Sequence, residues 1–337
     1  MTDASPQRSI LVTGGAGFIG SHLVEALLSR GDRVTIVDDL STGSEANLAT
    51  ARAAGPGRVE FLRGTVGAIL PTMQGRRFDE IYHLAAAVGV RLVVEEPVRT
   101  IETNVLETSA VLGFAARTRT PVLVASTSEV YGKGARTPFR EEDDLVFGPS
   151  TVSRWCYGIS KAVDEHLALA HARREGLPAV VARFFNTVGP RQTGQYGMVL
   201  PRFVEAALAG RPLQVHGDGL QARCFCDVRD VAPALPRMLA APACHGGVFN
   251  VGGDRIITVL ELAETVRRVT GSASAIEFIT YAQAYGGSFE DLRVRQPDLS
   301  RIRAAIGFEA RIPLERTIAD VAAQVAGAAG ASAGGAR

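Results

Sequence analysis

The chain has 337 residues, 46% hydrophobic and 21% charged, and its 36 basic and 35 acidic side chains leave a net charge of +1. That length permits a large buried core in two lobes, and that balance offers no electrostatic reason to expect nucleic acid or a membrane surface as partner. Four cysteines without CxxC spacing give no zinc site and no metal is expected; with neither a leading signal segment nor an apolar run of about 18 residues, the expected location is cytoplasmic.

Ser9-Ile10-Leu11-Val12-Thr13 reads as a strand running into Gly14-Gly15-Ala16-Gly17-Phe18-Ile19-Gly20, which opens an amphipathic helix ending at Gly31. Gly14, Gly17 and Gly20 permit a tight turn, close approach to a pyrophosphate and close helix-to-strand packing. The helix N-terminus adds its dipole and free N–H donors. The next strand, Arg33 to Val37, ends in Asp38, 18 residues past Gly20. A carboxylate there accepts both adenosine ribose hydroxyls and repels a 2′-phosphate, so NAD is expected rather than NADP.

Strands follow at Val59 to Leu62, Asp79 to His83, Pro121 to Ala125 and Ala179 to Phe184, with helices from about Glu96 to Arg117 and Ser153 to Arg174 between the later ones. This alternation predicts an α/β protein with a Rossmann-type, doubly wound parallel sheet. Leu84-Ala85-Ala86-Ala87 is small enough either to leave room for a cofactor or simply to start a helix, and His83 reads as a packed strand-end residue. The cluster Ser126-Thr127-Ser128-Glu129 should sit past the carboxyl end of a buried strand, where open α/β sheets hold ligands. Tyr157 and Lys161, four apart on a helix, share a face, and an ammonium beside the phenol would lower its pKa into the range of a usable base.

After Asn186-Thr187-Val188-Gly189-Pro190-Arg191 the alternation lapses into a smaller C-terminal lobe. It has a helix near Leu200 to Ala209, a strand at Leu213 to Val215, a turn at Gly217 to Gly219 and a strand from Arg223 to Val228 that puts Cys224 and Cys226 on one side as packing residues. Later helices begin near Thr258 and Pro313, with breaks at Gly286-Gly287 and Gln296-Pro297-Asp298. The expected division is 1–186 for the dinucleotide domain, with later segments free to return to it, 187–327 mainly for the substrate lobe, and an Ala/Gly-rich tail at 328–337 without fixed structure.

The glycine loop, Asp38, the run Thr127 to Gly132, Tyr157-x-x-x-Lys161, the segments Asn186 to Arg191 and Arg223 to Val228, and Arg295-Gln296-Pro297-Asp298 together resemble extended short-chain dehydrogenase/reductases of the NAD-dependent epimerase/dehydratase type. The resemblance covers nearly the whole chain. It implies a bound NAD used twice, a hydride-transfer triad of Thr127, Tyr157 and Lys161, a nucleotide-sugar substrate and a homodimer through a four-helix interface. Ser128 stands where 4,6-dehydratases carry an acidic Asp. Thr-Ser-Glu with the later Arg-x-Pro-Asp instead resembles UDP-glucuronic acid decarboxylases (UDP-xylose synthases), with Ser128, Glu129 and Arg295 in the catalytic set. A nucleotide-sugar 4-epimerase is the alternative, and a 4,6-dehydratase or a non-catalytic NAD sensor lies further off.

For the cofactor the resemblance implies Gly14, Gly17, Phe18, Ile19, Gly20, Asp38, Asp39, Ser41, Thr42, Thr65, Val66, Leu84, Ala85, Ala86, Asn104, Tyr157 and Lys161. For the UDP-sugar it implies Val88, Asn186, Val199, Gln214, Val215, Arg223 and Arg295. Two stretches depart from the pattern. Arg63-Gly64-Thr65-Val66 lacks the usual adenine-facing Asp, which leaves the backbone and Thr65 to make that contact, and Ala87-Val88-Gly89-Val90-Arg91 lacks the Ser/Pro/Tyr composition of many UDP-xylose synthases.

Overall fold

In the computed structural model the described residues are 7–89, 93, 95–194, 198–285 and 292–334; the predicted Gly286-Gly287 break, Val90 and Arg91 lie outside them. The centre is a seven-stranded sheet, every neighbouring pair parallel. Its strands are β1 (Ser9–Thr13), β2 (Arg33–Asp38), β3 (Val59–Arg63), β4 (Glu80–His83), β5 (Val122–Thr127), β6 (Ala179–Phe184) and, much later in the chain, a strand at Gly247–Val251. The spatial order is the late strand, β6, β5, β4, β1, β2, β3, so strand order reverses between β1 and β4. A crevice opens at the carboxyl ends of the strands at such a reversal.

The helices that cover the sheet are α1 (Phe18–Ser29), α2 (Pro97–Thr118) and α3 (Trp155–Glu175), each within two residues of its expected start. Leu11, Val37, Ile81, Val122, Val124 and Val181 bury one face of the sheet against Val111, Leu112, Ala115 and Ala168 of α2 and α3. Ile10, Val12, Val34, Ile36, Tyr82, Leu123 and Val180 bury the other against α1. Strands buried on both faces explain why β1 and β5 read as apolar runs rather than alternating ones.

The second lobe holds β7 (Thr187–Val188), α4 (Val199–Leu208), β8 (Leu213–His216), β9 (Ala222–Cys224) and β10 (Cys226–Asp227), after which the chain enters α5 (Val228–Ala240). After β11, the late strand of the sheet, come β12 (Ile256–Thr258), α6 (Val259–Thr270), β13 (Ile276–Ile279), β14 (Val294–Arg295) and α7 (Leu314–Gly334). The single strand expected over Arg223 to Val228 is two strands in different sheets. β9 pairs with β12 and β14, whereas β10 pairs with β7, and the chain changes sheets at Phe225. Cys224 and Cys226 are both buried, and burial pushes both thiols up, Cys224 to about 12, as packing residues require.

Several elements went unread in the sequence, among them two that belong to the large sheet's core. α5 and β11 return to the first lobe, where Val231, Leu235, Met238, Phe249 and Val251 join the same core as Ile10 and Leu23. The C-terminal segment expected to lack fixed structure is helical to Gly334, because Ile318 and Val321 of α7 pack on Phe203, Leu262 and Val266 of α4 and α6, and Ala-rich sequence continues the helix that this packing starts.

Candidate active site

The crevice is a cavity of about 570 Å³ running from the glycine loop, across the ends of β1, β4 and β5, to β8, β9 and β14 of the second lobe. At one end Gly14 has φ +72, and a Cβ there would stand 2.7 Å from the Ala85 nitrogen, so the loops after β1 and β4 approach as closely as they do only with glycine present. A Cβ at Gly20 would run into the Gly14 carbonyl. Gly17 precedes α1 in extended conformation with no side-chain cap, which leaves the first amides of α1 open toward the cavity.

Asp38 ends β2 and is 7% exposed. Its carboxylate accepts the Ala16 and Leu40 amides at 2.9 and 2.8 Å. Burial pushes its pKa up, and those amide hydrogen bonds oppose the rise. The geometry leaves the carboxylate fixed at the rim of the glycine loop, beside Asp39, Ser41, Thr42, Thr65 and Val66, which line the same end. Leu84, Ala85 and Ala86 line the crevice floor, so the small residues after β4 make room rather than start a helix.

His83 is fully buried; its Nδ1 meets Thr13 Oγ1 at 2.7 Å and its Nε2 meets Thr108 Oγ1 at 3.0 Å. Burial, with Lys161 nearby, lowers its pKa to about 3, which keeps the imidazole neutral. It holds strand ends together, as its sequence context suggested.

Thr127 is the last residue of β5, and its Oγ1 accepts the Glu129 amide at 3.2 Å, starting the single turn Ser128–Tyr131. The Tyr157 hydroxyl lies beside Thr127, which favours the ionised phenol. Glu129 lies between two guanidinium groups, with Oε2 accepting from Arg154 Nη1 at 2.9 Å and Oε1 paired with Arg295 Nη1 at 2.5 Å. Burial alone would raise its pKa, but Arg295 and Arg154 overcome that and hold it at about 2. Glu129 is therefore an anion near neutral pH and has no proton to give there.

Lys161 departs from expectation. Its ammonium, 2% exposed, donates to Asp164 Oδ2 at 2.6 Å. A fully buried ammonium needs the nearest carboxylate, and one helical turn onward α3 supplies it. The Tyr157 pKa is correspondingly raised above the ordinary phenol range, first by burial and then by Glu129, with Thr127 opposing and Asp164 adding to the rise. In the protein alone Tyr157 is a phenol rather than the ready phenolate that Tyr-x-x-x-Lys spacing suggested.

Every expected site residue lines this one cavity except two. Asn104 is buried in α2, where its side chain binds Ala87 N at 2.8 Å and Ser160 Oγ at 3.1 Å, so it supports the crevice floor from behind. Val215 is 0% exposed and packs in the second lobe with Leu213. Alternation along β8 turns Gln214 and His216 to the cavity and Leu213 and Val215 away from it. Asn186 lines the cavity at φ +30 and donates to the Cys224 carbonyl at 3.3 Å, and Val88 and Val199 line it too. Arg223 lines it while donating to the Ala222 and Leu292 carbonyls at 2.8 Å.

Arg154, His216 and Tyr281 also line the cavity and were not singled out from sequence. For Arg154 a signal existed: it stands three residues before Tyr157, one turn earlier on the same helical face.

The NAD dependent epimerase/dehydratase family model matches residues 10–252. A UDP-N-acetyl-alpha-D-glucosaminuronate decarboxylase of Bacillus cytotoxicus is 36% identical over 319 residues, 92% of this chain and 95% of that protein. UDP-glucuronic acid decarboxylase 1 of Arabidopsis thaliana is 37% identical over 90% of this chain and 67% of its own. Among solved structures, a UDP-glucose 4-epimerase of Thermotoga maritima with UDP-glucose superposes with a TM-score of 0.84 at 28% identity, covering 95% of this chain and 99% of that one. With a glycine loop, a strand-end acid and a Tyr/Lys pair around one crevice, and a match over most of its length, the chain belongs to the NAD dependent epimerase/dehydratase family.

Proposed function

We propose that this protein is an NAD-dependent nucleotide-sugar decarboxylase that converts UDP-glucuronic acid to UDP-xylose through a UDP-4-keto sugar. One observation carries the reading: Glu129 is locked as an anion between Arg154 and Arg295 in the same cavity as Thr127, Tyr157 and Lys161. The glycine loop and the α1 N-terminus would hold the pyrophosphate, and Asp38 the adenosine ribose. Bound NAD supplies the acceptor for the C4 hydride, the donor that later returns it, and in its oxidised ring a positive charge that favours the Tyr157 phenolate.

Tyr157 takes the C4 hydroxyl proton as C4 becomes a ketone, and Thr127 stands beside the phenol, placed to orient it. The C5 carboxylate then belongs to a β-keto acid. The C5–carboxyl bond breaks, its electron pair passes into the C4–C5 enolate, and CO₂ leaves. Tyr157, now protonated, and the Ser128 hydroxyl stand ready as donors to the enolate oxygen, the charge that develops in this step. A proton from solvent restores C5. Arg295 is the group suited to clamp the sugar carboxylate beforehand, since a guanidinium binds two oxygens at once and never loses its charge. Glu129 positions Arg295 and Arg154; it does not act as an acid.

A second reading keeps the chemistry and changes the sugar. The Bacillus cytotoxicus relative is named for an N-acetylated uronate, and Ala86, Ala87, Val88 and Gly89 line the cavity with small side chains that leave space for an added substituent. Incubating the enzyme with UDP-glucuronate and with UDP-N-acetylglucosaminuronate decides between them by which one releases CO₂. Formation of UDP-galacturonate without CO₂ would instead establish a 4-epimerase and overturn decarboxylation.

The same reading includes a homodimer in the cytoplasm, the latter in keeping with four free thiols. Val98, Ile101 and Leu106 of α2 and Ile159 and Val163 of α3 are exposed, and together they form an apolar surface on two neighbouring helices. Sedimentation at micromolar concentration is expected to give twice the chain mass, and replacing Val98, Leu106 and Val163 by Glu to give the chain mass. A wild-type monomer would overturn the dimer. Among the described residues no helix is long and apolar enough to cross a membrane.

A further inference from the structure

The buried polar group least accounted for by this chemistry is Asp164. It is 0% exposed, yet it is neither in the cavity lining nor in any expected site. Its Oδ2 accepts the Lys161 ammonium at 2.6 Å, its Oδ1 is buried without a hydrogen-bond partner among the described residues, and the Thr108 hydroxyl, bonded to His83 Nε2 at 3.0 Å, stands near enough to favour the charged carboxylate. Thr13, His83 and Thr108 thus form a buried hydrogen-bonded run from the end of β1 that stops beside the Lys161–Asp164 pair.

A buried lysine–carboxylate pair is weak as a stabilising device, because desolvating two charges offsets most of their attraction. Its position suggests another use. Asp164 follows Tyr157 by seven residues on α3, two turns and about 10 Å along the axis, so its charge acts on the phenol through a dry interior.

We propose that Asp164 is a positioning residue whose carboxylate holds the Lys161 ammonium and sets the pH at which Tyr157 gives up its proton. The proposal rests on Tyr157 being the base. Other charged and titratable groups around the pair are Glu165 of α3, His83 of β4 and Glu129 of the turn after β5. Each is already committed: Glu165 to Arg183 of β6, Glu129 to Arg154 and Arg295, and His83 to its neutral form, while α2 contributes the uncharged Thr108. Of these only Asp164 touches Lys161 directly, and its negative charge cancels the positive one that would otherwise favour the phenolate.

The test uses NAD-loaded protein with Asp164→Asn, Asp164→Ser and Asp164→Glu. Tyr157 is titrated by its ultraviolet phenolate absorbance, with Tyr157→Phe in each background as the blank, and the acid limb of kcat/KM is measured alongside. The neutral variants are expected to move both the midpoint and the limb down by roughly half to one pH unit, the size expected for one charge at that distance. Asp164→Glu, which keeps the charge, should leave both in place. Two neutral variants are included so that one poorly folding protein does not end the test. A midpoint that stays put in a folded neutral variant, or that moves as far in Asp164→Glu, overturns the proposal. Turnover surviving Tyr157→Phe would instead defeat the base assignment, which separates the two failures.

Discussion

Tyr157→Phe is expected to abolish turnover almost completely, by about 10²- to 10⁴-fold, the range in which general acid–base groups contribute. The ring stays and only the hydroxyl goes, so the packing of α3 and the glycine loop is untouched. Bound NAD should therefore remain at the wild-type ratio to protein. Loss of CO₂ release together with loss of the reduced-cofactor absorbance would show that C4 oxidation itself has stopped. A variant that still turned over at the wild-type rate would remove Tyr157 from the mechanism, and with it the reading of the crevice as a site of sugar oxidation.

Arg295→Lys is expected to separate the two halves of the reaction. Lysine keeps one positive charge but loses the planar fork, so the sugar carboxylate is no longer held in a fixed plane at C5. Removing one aimed donor at a charged centre costs about 10²- to 10³-fold. CO₂ release should fall by at least that lower figure, while C4 oxidation, which depends on Tyr157, survives and the reduced cofactor builds up under substrate. Glu129 should stay ionised in this variant because Arg154 remains against its other oxygen at 2.9 Å. If CO₂ release and C4 oxidation instead fall together, Arg295 serves substrate binding as a whole and not the decarboxylation step.

The two predictions rest on different kinds of knowledge. Tyr157 can be picked out from its spacing to Lys161 and its place after a strand-end Thr127, because those relations are local and a helix or a strand enforces them wherever it lies. The same holds for the βαβ unit: Gly14 to Gly20 and Asp38 are linked by one helix and one strand, and the chain itself sets their separation. Local pattern also suffices for the first six strands of the sheet, since each is a short stretch with β-branched or aromatic residues set between turns or helices.

Arg295 and Glu129 are different. They meet only because β14 pairs with β9 and thereby carries Arg295 across the second lobe to the end of β5, with Arg154 arriving from the start of α3. Nothing in the residues near 129 states that two guanidinium groups will hold that carboxylate at about 2. β11 escaped for the same reason. Gly247–Val251 is a short apolar run like many others, and its place beside β6 is settled by long-range pairing.

By itself the sequence determined the dinucleotide loop, the parallel sheet and the Tyr/Lys helix, all of which follow from periodicity and spacing within a few tens of residues. Tertiary structure alone decided that Lys161 is buried deeply enough to spend its charge on Asp164, its neighbour one helical turn away, that Glu129 stays an anion, that Val215 and Asn104 face away from the crevice, and that β11 joins the sheet beside β6. Protonation and side-chain direction depend on which distant groups share a dry interior, and burial weighs those neighbours more heavily than any residue adjacent in the chain.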